Sequence, residues 1–212
     1  MTPAGFHCPS DPAPARWQNS YPSTAGTWAG IRQDDGMFRY AHAAYVGYRL
    51  GPVRVQDVKD GLSNTVAVSE WLHRWEDERA RRTVDTYRRL IWKLPKLFGR
   101  GADIDSLADV CRQVPPVNPE RYGWQNNGGL SHEWFTGGVT VSSYVHVMPP
   151  NTASCEAVTL GIGSILATAG SYHRMGVNGL FADGHVQFIS DAIDLNVWRA
   201  MGTRDNGDVV SF

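Results

Sequence analysis

Ser171-Tyr-His-Arg-Met-Gly-Val-Asn-Gly-Leu-Phe-Ala-Asp-Gly-His-Val-Gln-Phe-Ile-Ser190 is the stretch from which the fold reads outward. Asp183-Gly184 is a favoured central pair for a tight hairpin turn, because such turns need φ > 0 and these residues tolerate it. Before the turn, Val177, Gly179 and Phe181 alternate with Asn178, Leu180 and Ala182. After it, Val186, Phe188 and Ile189 are β-branched or aromatic. Both arms have strand composition. The second arm sets Val186 and Phe188 on one face against His185 and Gln187 on the other, which predicts one buried face.

The rest of the chain supports a β-rich domain. Its 212 residues suit one domain spanning 1–212, and 42% hydrophobic content is enough for a packed core. Twenty-two glycines and 12 prolines call for many turns. A net charge of −1 gives no electrostatic case for nucleic acid or an anionic membrane. Eight tryptophans are expected mainly in the core, with some free to form a binding surface. The segments Gly36–Tyr40, Val53–Asp57, Thr65–Ser69, Gly138–Ser142 and Tyr144–Met148 read as strands. Leu195–Met201 reads as a short helix capped by Asp194.

Residues 75–114 break the β pattern and predict a helical insertion. Val84, Tyr87, Leu90, Ile91 and Leu94 recur at helical spacing, with acidic residues early and basic ones late, and Pro95 ends or kinks the helix. Asp105-Ser106 predicts the cap of a second helix through Leu107, Val110, Cys111 and Val114. Residues 70–100 carry nine Lys/Arg against five Asp/Glu. That excess is either a solvated helix face or, through Arg81, Arg82, Arg88 and Arg89, a docking surface for an acidic partner. The fold class is therefore α+β, dominated by antiparallel strands.

Candidate chemistry is sparse. His173 and Asp183 are a possible base and orienting carboxylate of a hydrolase. The competing reading makes Asp183 a turn residue and lets His173 pack at the strand start, since no nucleophile stands near in sequence. Asp60, Ser63 and Asn64 offer hard oxygens for Ca²⁺, against a reading as a turn and cap bonded to neighbouring backbone. Cys111 or Cys155 beside His146 or His132 is a weaker nucleophile pairing, because nothing local lowers a thiol pKa. Trp124, Trp134, Phe135 and Tyr144 form an aromatic set suited either to stacking on sugars, as in an extracellular glycan-binding module, or to the core. No cofactor motif is present beyond the Ca²⁺ candidates.

Five segments in order resemble one bacterial family. They are Cys8-Pro-Ser-Asp11, Asp60-Gly-Leu-Ser-Asn-Thr through Glu70, Met148-Pro-Pro-Asn-Thr-Ala-Ser-Cys155, His173 with nine residues before Asp183-Gly184, and Trp198-Arg-Ala-Met-Gly-Thr203. The family is that of the prepilin-type H-X9-DG proteins, carrying domain of unknown function 1559. One departure stands out: the family usually has two glycines after its histidine, whereas Met175 here precedes Gly176. The resemblance implies a pilin-like (pseudopilin) head outside the cytoplasm, in the periplasm or at the cell surface. Its function would be structural and non-enzymatic, with other pilin-like subunits or envelope proteins as partners and a link to type II secretion-like assemblies. Relatives are tethered to the inner membrane by an N-terminal helix. No run of about 18 apolar residues and no basic-then-apolar leader occurs in these 212 residues, so the chain is expected to be the head portion. An exported head permits one disulfide, and Cys8 with Cys155 is the pairing expected, since both lie in family-like segments; buried free thiols are the alternative.

Overall fold

A computed structural model describes residues 2–12, 18–27, 35–39, 51–73, 88, 91–98, 103–113, 142–158 and 165–208. Its strands are β1 (Ser23–Thr24), β2 (Val66–Val68), β3 (Ile91–Phe98), β4 (Ser143–Tyr144), β5 (Ser154–Val158), β6 (Ile165–Leu166), β7 (Gly176–Phe181) and β8 (Val186–Ser190). Among the described residues, the α-helices α1 (Ile104–Arg112) and α2 (Leu195–Gly202) accompany them. Among the described residues, one sheet has the order β4-β1-β2-β7-β8 and another the order β3-β5-β6. All pairings among the described residues are antiparallel except β1 with β4 and β3 with β5. The fold is α+β, as the strand patterning and helical signals predict. Among the described residues, no helix is long and apolar enough to cross a membrane.

The hairpin forms where expected, with Gly176 opposite Ser190 and Leu180 opposite Val186. Its connection is one residue longer than a two-residue turn. Phe181 N–H donates to His185 at 2.9 Å and Gly184 N–H to Phe181 at 3.0 Å, leaving Ala182-Asp183-Gly184 as the loop. Gly184 takes φ +95°, the left-handed position that a three-residue hairpin assigns to glycine. The turn docks on the Asp60–Thr65 segment, where Ala182 and Asp183 N–H donate to the carbonyls of Thr65 and Leu62. The buried face of β8 is the Ile189 face, 3% exposed; Val186 and Phe188 are 64% and 49% exposed. Among the described residues β8 is an edge of its sheet.

Among the described residues, two apolar clusters form the interior, and short strands divide them. Ile91, Tyr144 and Ala167 face one cluster, with Val177, Phe181, Ile189 and Trp198. Their chain neighbours Trp92, Val145 and Leu166 face the other, with Leu107, Cys111 and Cys155. Successive residues of extended chain point to opposite sides, so one dipeptide serves both clusters. Full burial of a side chain such as Leu107, Phe181 or Met201 is worth about 1.5–3 kcal/mol.

Several local expectations are corrected. Ile91–Phe98 is a strand, so the helix read through Leu94 does not include it. Pairing with β5 and burial of Ile91 and Trp92 on opposite faces override the helical spacing. Pro95 sits within the register shift between Lys93 and Phe98, on a strand that is an edge of its sheet among the described residues, the kind of place where a strand tolerates proline. Residues 74–87 lie outside the described set. The second helix is present, but its cap is Asp103, whose carboxylate accepts from Ser106 N–H at 3.0 Å. Asp105 instead meets Arg199 of α2 at 2.6 Å. Val55–Asp57 is a 3-10 turn held by the Asp57 carboxylate on Arg54 N–H. The described part of Gly36–Tyr40 has no strand, and of Tyr144–Met148 only Tyr144 is in one. Helix α2 starts as read, with Asp194 accepting from Asn196 and Val197 N–H. Gly202 lets it sit against His146: an added Cβ would stand 2.5 Å from the histidine's Cβ.

Candidate functional site

Three of the motif segments meet at one point. Cys8 opens a turn in which Asp11 N–H donates to its carbonyl at 3.0 Å, with Pro9 at the position that suits its fixed φ. The Asp11 carboxylate then accepts His73 N–H at 2.8 Å, and Cys8 N–H donates to Ser20 Oγ at 2.9 Å. These bonds seat the Cys-Pro-Ser-Asp turn beside the chain leaving β2. Glu70 lies on that chain, where its carbonyl accepts Gly170 N–H and Trp71 N–H reaches Ser20.

His173 arrives from the loop before β7. Ser171 Oγ accepts His173 N–H at 3.1 Å and donates to the Gly176 carbonyl at 2.7 Å. Asn151, of the Pro-Pro-Asn segment, accepts Ser171 N–H at 2.9 Å and donates to the same Gly176 carbonyl at 3.3 Å. Arg88 braces this loop, donating to Asn151 Oδ1 and the Ser171 carbonyl and lying over Tyr172. The one described arginine of the expected basic docking surface is therefore engaged within the molecule; Arg81, Arg82 and Arg89 lie outside the described residues.

The result is a compact S, O, N triangle. Cys8 Sγ is 3.6 Å from Glu70 Oε1 and 3.7 Å from His173 Nε2, and Glu70 Oε1 is 3.2 Å from His173 Nε2. Glu70 Oε2 is held apart by Asn178, which donates its N–H at 2.7 Å and its amide at 3.2 Å. Cys8 is 6% exposed and Glu70 4%, whereas the His173 side chain keeps 33% of its surface. Burial, reinforced by the Glu70 charge, pushes the Cys8 thiol up. The Tyr21 hydroxyl is pushed up to about 12 by burial and by Cys8 and Glu70 beside it. This is not a nucleophile relay. A Cys-His-carboxylate triad uses the two ring nitrogens separately, one for the thiol and one for the carboxylate. Here both contacts converge on Nε2, and the thiol's raised pKa works against a thiolate nucleophile.

His173 and Asp183 are not brought together. They flank opposite ends of the six-residue β7, whose own length is about 17 Å. Asp183 is exposed and engages His185 through its ring at 2.6 Å and its N–H at 3.1 Å; the backbone bond is the larger cause of its lowered pKa. Gly184 is the turn residue described above. The hydrolase pairing lacks its geometry.

Two of the three Ca²⁺ candidates, Asp60 and Asn64, make bonds within the fold. The Asp60 carboxylate accepts Gly207 N–H at 2.7 Å, Asn206 N–H at 3.0 Å and the Thr203 hydroxyl at 3.3 Å. Asn64 turns its amide N–H, not its oxygen, to the Asp60 carbonyl, and Ser63 is exposed. The expected Cys8–Cys155 disulfide is also corrected. Cys155 is bonded to Cys111, with Cα atoms 6.0 Å apart, and Cys8 is a buried free thiol. Helix α1 packs on β5 in one cluster, which brings Cys111 and not Cys8 to Cys155. His146 is no partner for either: Tyr144 donates to its Nε2, its Nδ1–H donates to the Trp198 carbonyl, and it stacks on Trp198. Of the aromatic set, Tyr144 is fully buried; Trp124, Trp134 and Phe135 lie outside the described residues.

Sequence spacing gave no local sign of the triangle, because its members stand 62 and 165 residues from Cys8. The available signal was that each belongs to a different family-like segment. Comparison with family models matches residues 3–196 to one described as a protein of unknown function (DUF1559). No curated protein and no solved structure matches the chain.

Proposed function

Because the chain belongs to the family described as a protein of unknown function (DUF1559), we propose that it is a non-enzymatic interaction head of a pilin-like protein of the cell envelope. The observation that carries this reading is β8, an edge of its sheet among the described residues, which presents Val186 and Phe188 to solvent on one face. An open strand edge with apolar side chains is suited to adding a strand from another chain. The occupant proposed is another pilin-like subunit. The Cys111–Cys155 disulfide is in keeping with an extracytoplasmic head, periplasmic or on the cell surface. Support also comes from the motif residues, most of which serve the fold: Asp60 clamps the C-terminal segment, Asp183 shapes the turn and Asn151 sets the His173 loop. The test places a photo-crosslinking amino acid at Val186 in the full-length protein in cells. Adducts to a pilin-like subunit are expected, reduced by Phe188→Asp. Absence of any protein adduct at Val186, with adducts forming at control positions, would overturn the reading.

A further inference from the structure

We propose that Cys8 Sγ, Glu70 Oε1 and His173 Nε2 are three ligands of a zinc(II) site that clips the N-terminal turn, the chain after β2 and the β7 loop together. Three features carry the assignment, none of which depends on the interaction reading above.

The first is shape. Tetrahedral zinc with Zn–S near 2.3 Å and Zn–N and Zn–O near 2.0 Å sets its donors about 3.5 Å apart for S–N and S–O and about 3.3 Å apart for N–O. The observed edges are 3.7, 3.6 and 3.2 Å. The triangle already has the dimensions of one face of that tetrahedron.

The second is charge. A thiol and a carboxylate are buried against each other, and His173 is the basic side chain they share. A divalent cation at the centre would neutralise both as thiolate and carboxylate, with the thiol proton released to solvent on binding. The donor set of sulfur, imidazole and one carboxylate oxygen selects zinc over calcium or magnesium, which take oxygen ligands.

The third is orientation from outside the triangle. Asn178 occupies Glu70 Oε2 and so presents Oε1 singly. Ser20 fixes the Cys8 backbone and Ser171 the His173 backbone. Supporting bonds of this kind direct metal ligands. With Cys8 and Glu70 buried and His173 one-third exposed, the fourth position opens on the histidine side and is suited to water or an exogenous ligand.

The test uses chelator-treated protein titrated with ZnCl2 by calorimetry in two buffers of different ionisation enthalpy, and with CoCl2 by absorption. One equivalent is expected to bind with proton release, and cobalt should give a thiolate charge-transfer band with four-coordinate visible bands. Cys8→Ser should abolish that band. Asn178→Ala removes only the amide donor to Glu70 Oε2 and keeps the 2.7 Å backbone bond, so zinc should weaken by no more than about tenfold. X-ray absorption of the zinc-loaded unsubstituted protein needs no variant: one sulfur at about 2.3 Å among N/O neighbours at about 2.0 Å is expected. Failure to bind zinc, or a first shell without sulfur, would overturn the proposal, as would unchanged affinity in Cys8→Ser and His173→Ala.

Discussion

His173 Nε2 stands 3.2 Å from Glu70 Oε1, so the histidine that opens the hairpin motif answers to a carboxylate beyond β2 and not to the Asp183 that shares its motif. The same carboxylate holds Asn178 through its other oxygen. Glu70→Ala therefore leaves a backbone N–H of β7 without its acceptor in a largely buried place. A loss of about 1–3 kcal/mol is expected in urea unfolding. A change below about 0.5 kcal/mol, the size typical of an indifferent surface site, would show that Glu70 organises nothing.

Met175 occupies the position where the family usually has glycine, and its φ is +65° with the side chain 68% exposed. A left-handed conformation costs a residue with Cβ about 1–2 kcal/mol, part of which glycine returns through its freer unfolded chain. Met175→Gly is thus expected to raise stability by about 0.5–1 kcal/mol, whereas Met175→Ala, still strained, should not. Equal stability of the two variants by thermal melting would refute the strain argument.

The Cys111–Cys155 bond closes a span with a sequence separation of 44. The chain-entropy relation gives about 4 kcal/mol for a loop of that size. The double variant Cys111→Ser/Cys155→Ser should lose stability of that order in denaturant unfolding. Thiol titration of the denatured, unreduced protein should count one group, Cys8. A count of three would refute the pairing.

His146 is buried and neutral, and burial lowers its pKa from 6.5 to about 3. The sign follows from proton uptake: below about pH 6.5 the unfolded chain binds a proton at this ring that the folded chain refuses. Its contribution therefore reduces stability as pH falls from 6.5 towards 3, by about 1.4 kcal/mol for each pH unit well inside that window. Ring ¹⁵N NMR should show a neutral, Nδ1-protonated His146 at pH 5. An ordinary titration near 6.5 would contradict its burial between Tyr144 and Trp198.

Much of the sheet was legible because its signals are local. Asp183-Gly184 marks the turn, the arms alternate, and Asp194 caps α2 from the adjacent position. Strand β3 was not, because its state depends on β5, which lies far along the chain, and because Ile91 and Leu94 fall at helical spacing whichever state they take. The exposed face of β8 was misjudged in the same way: Val186 and Phe188 have core composition, and only the placement of Ile189 against Val177 decides which side is covered. The Cys8–Glu70–His173 triangle is a purely tertiary feature. Each member sits in a segment whose local grammar is a turn or a strand, and no fixed spacing joins them. The disulfide failed to read for a related reason, since motif membership singled out Cys8, while Cys111, in the segment between, holds the contact.

That disulfide also changes what a cut in the chain means. Because Cys111 and Cys155 are joined covalently, a protease that cleaves anywhere between them produces two fragments that still travel as a single molecule until a reductant arrives. The N-terminal fragment would carry Cys8 and Glu70 and the C-terminal fragment His173, so a nicked protein keeps every part of the triangle on one tethered unit.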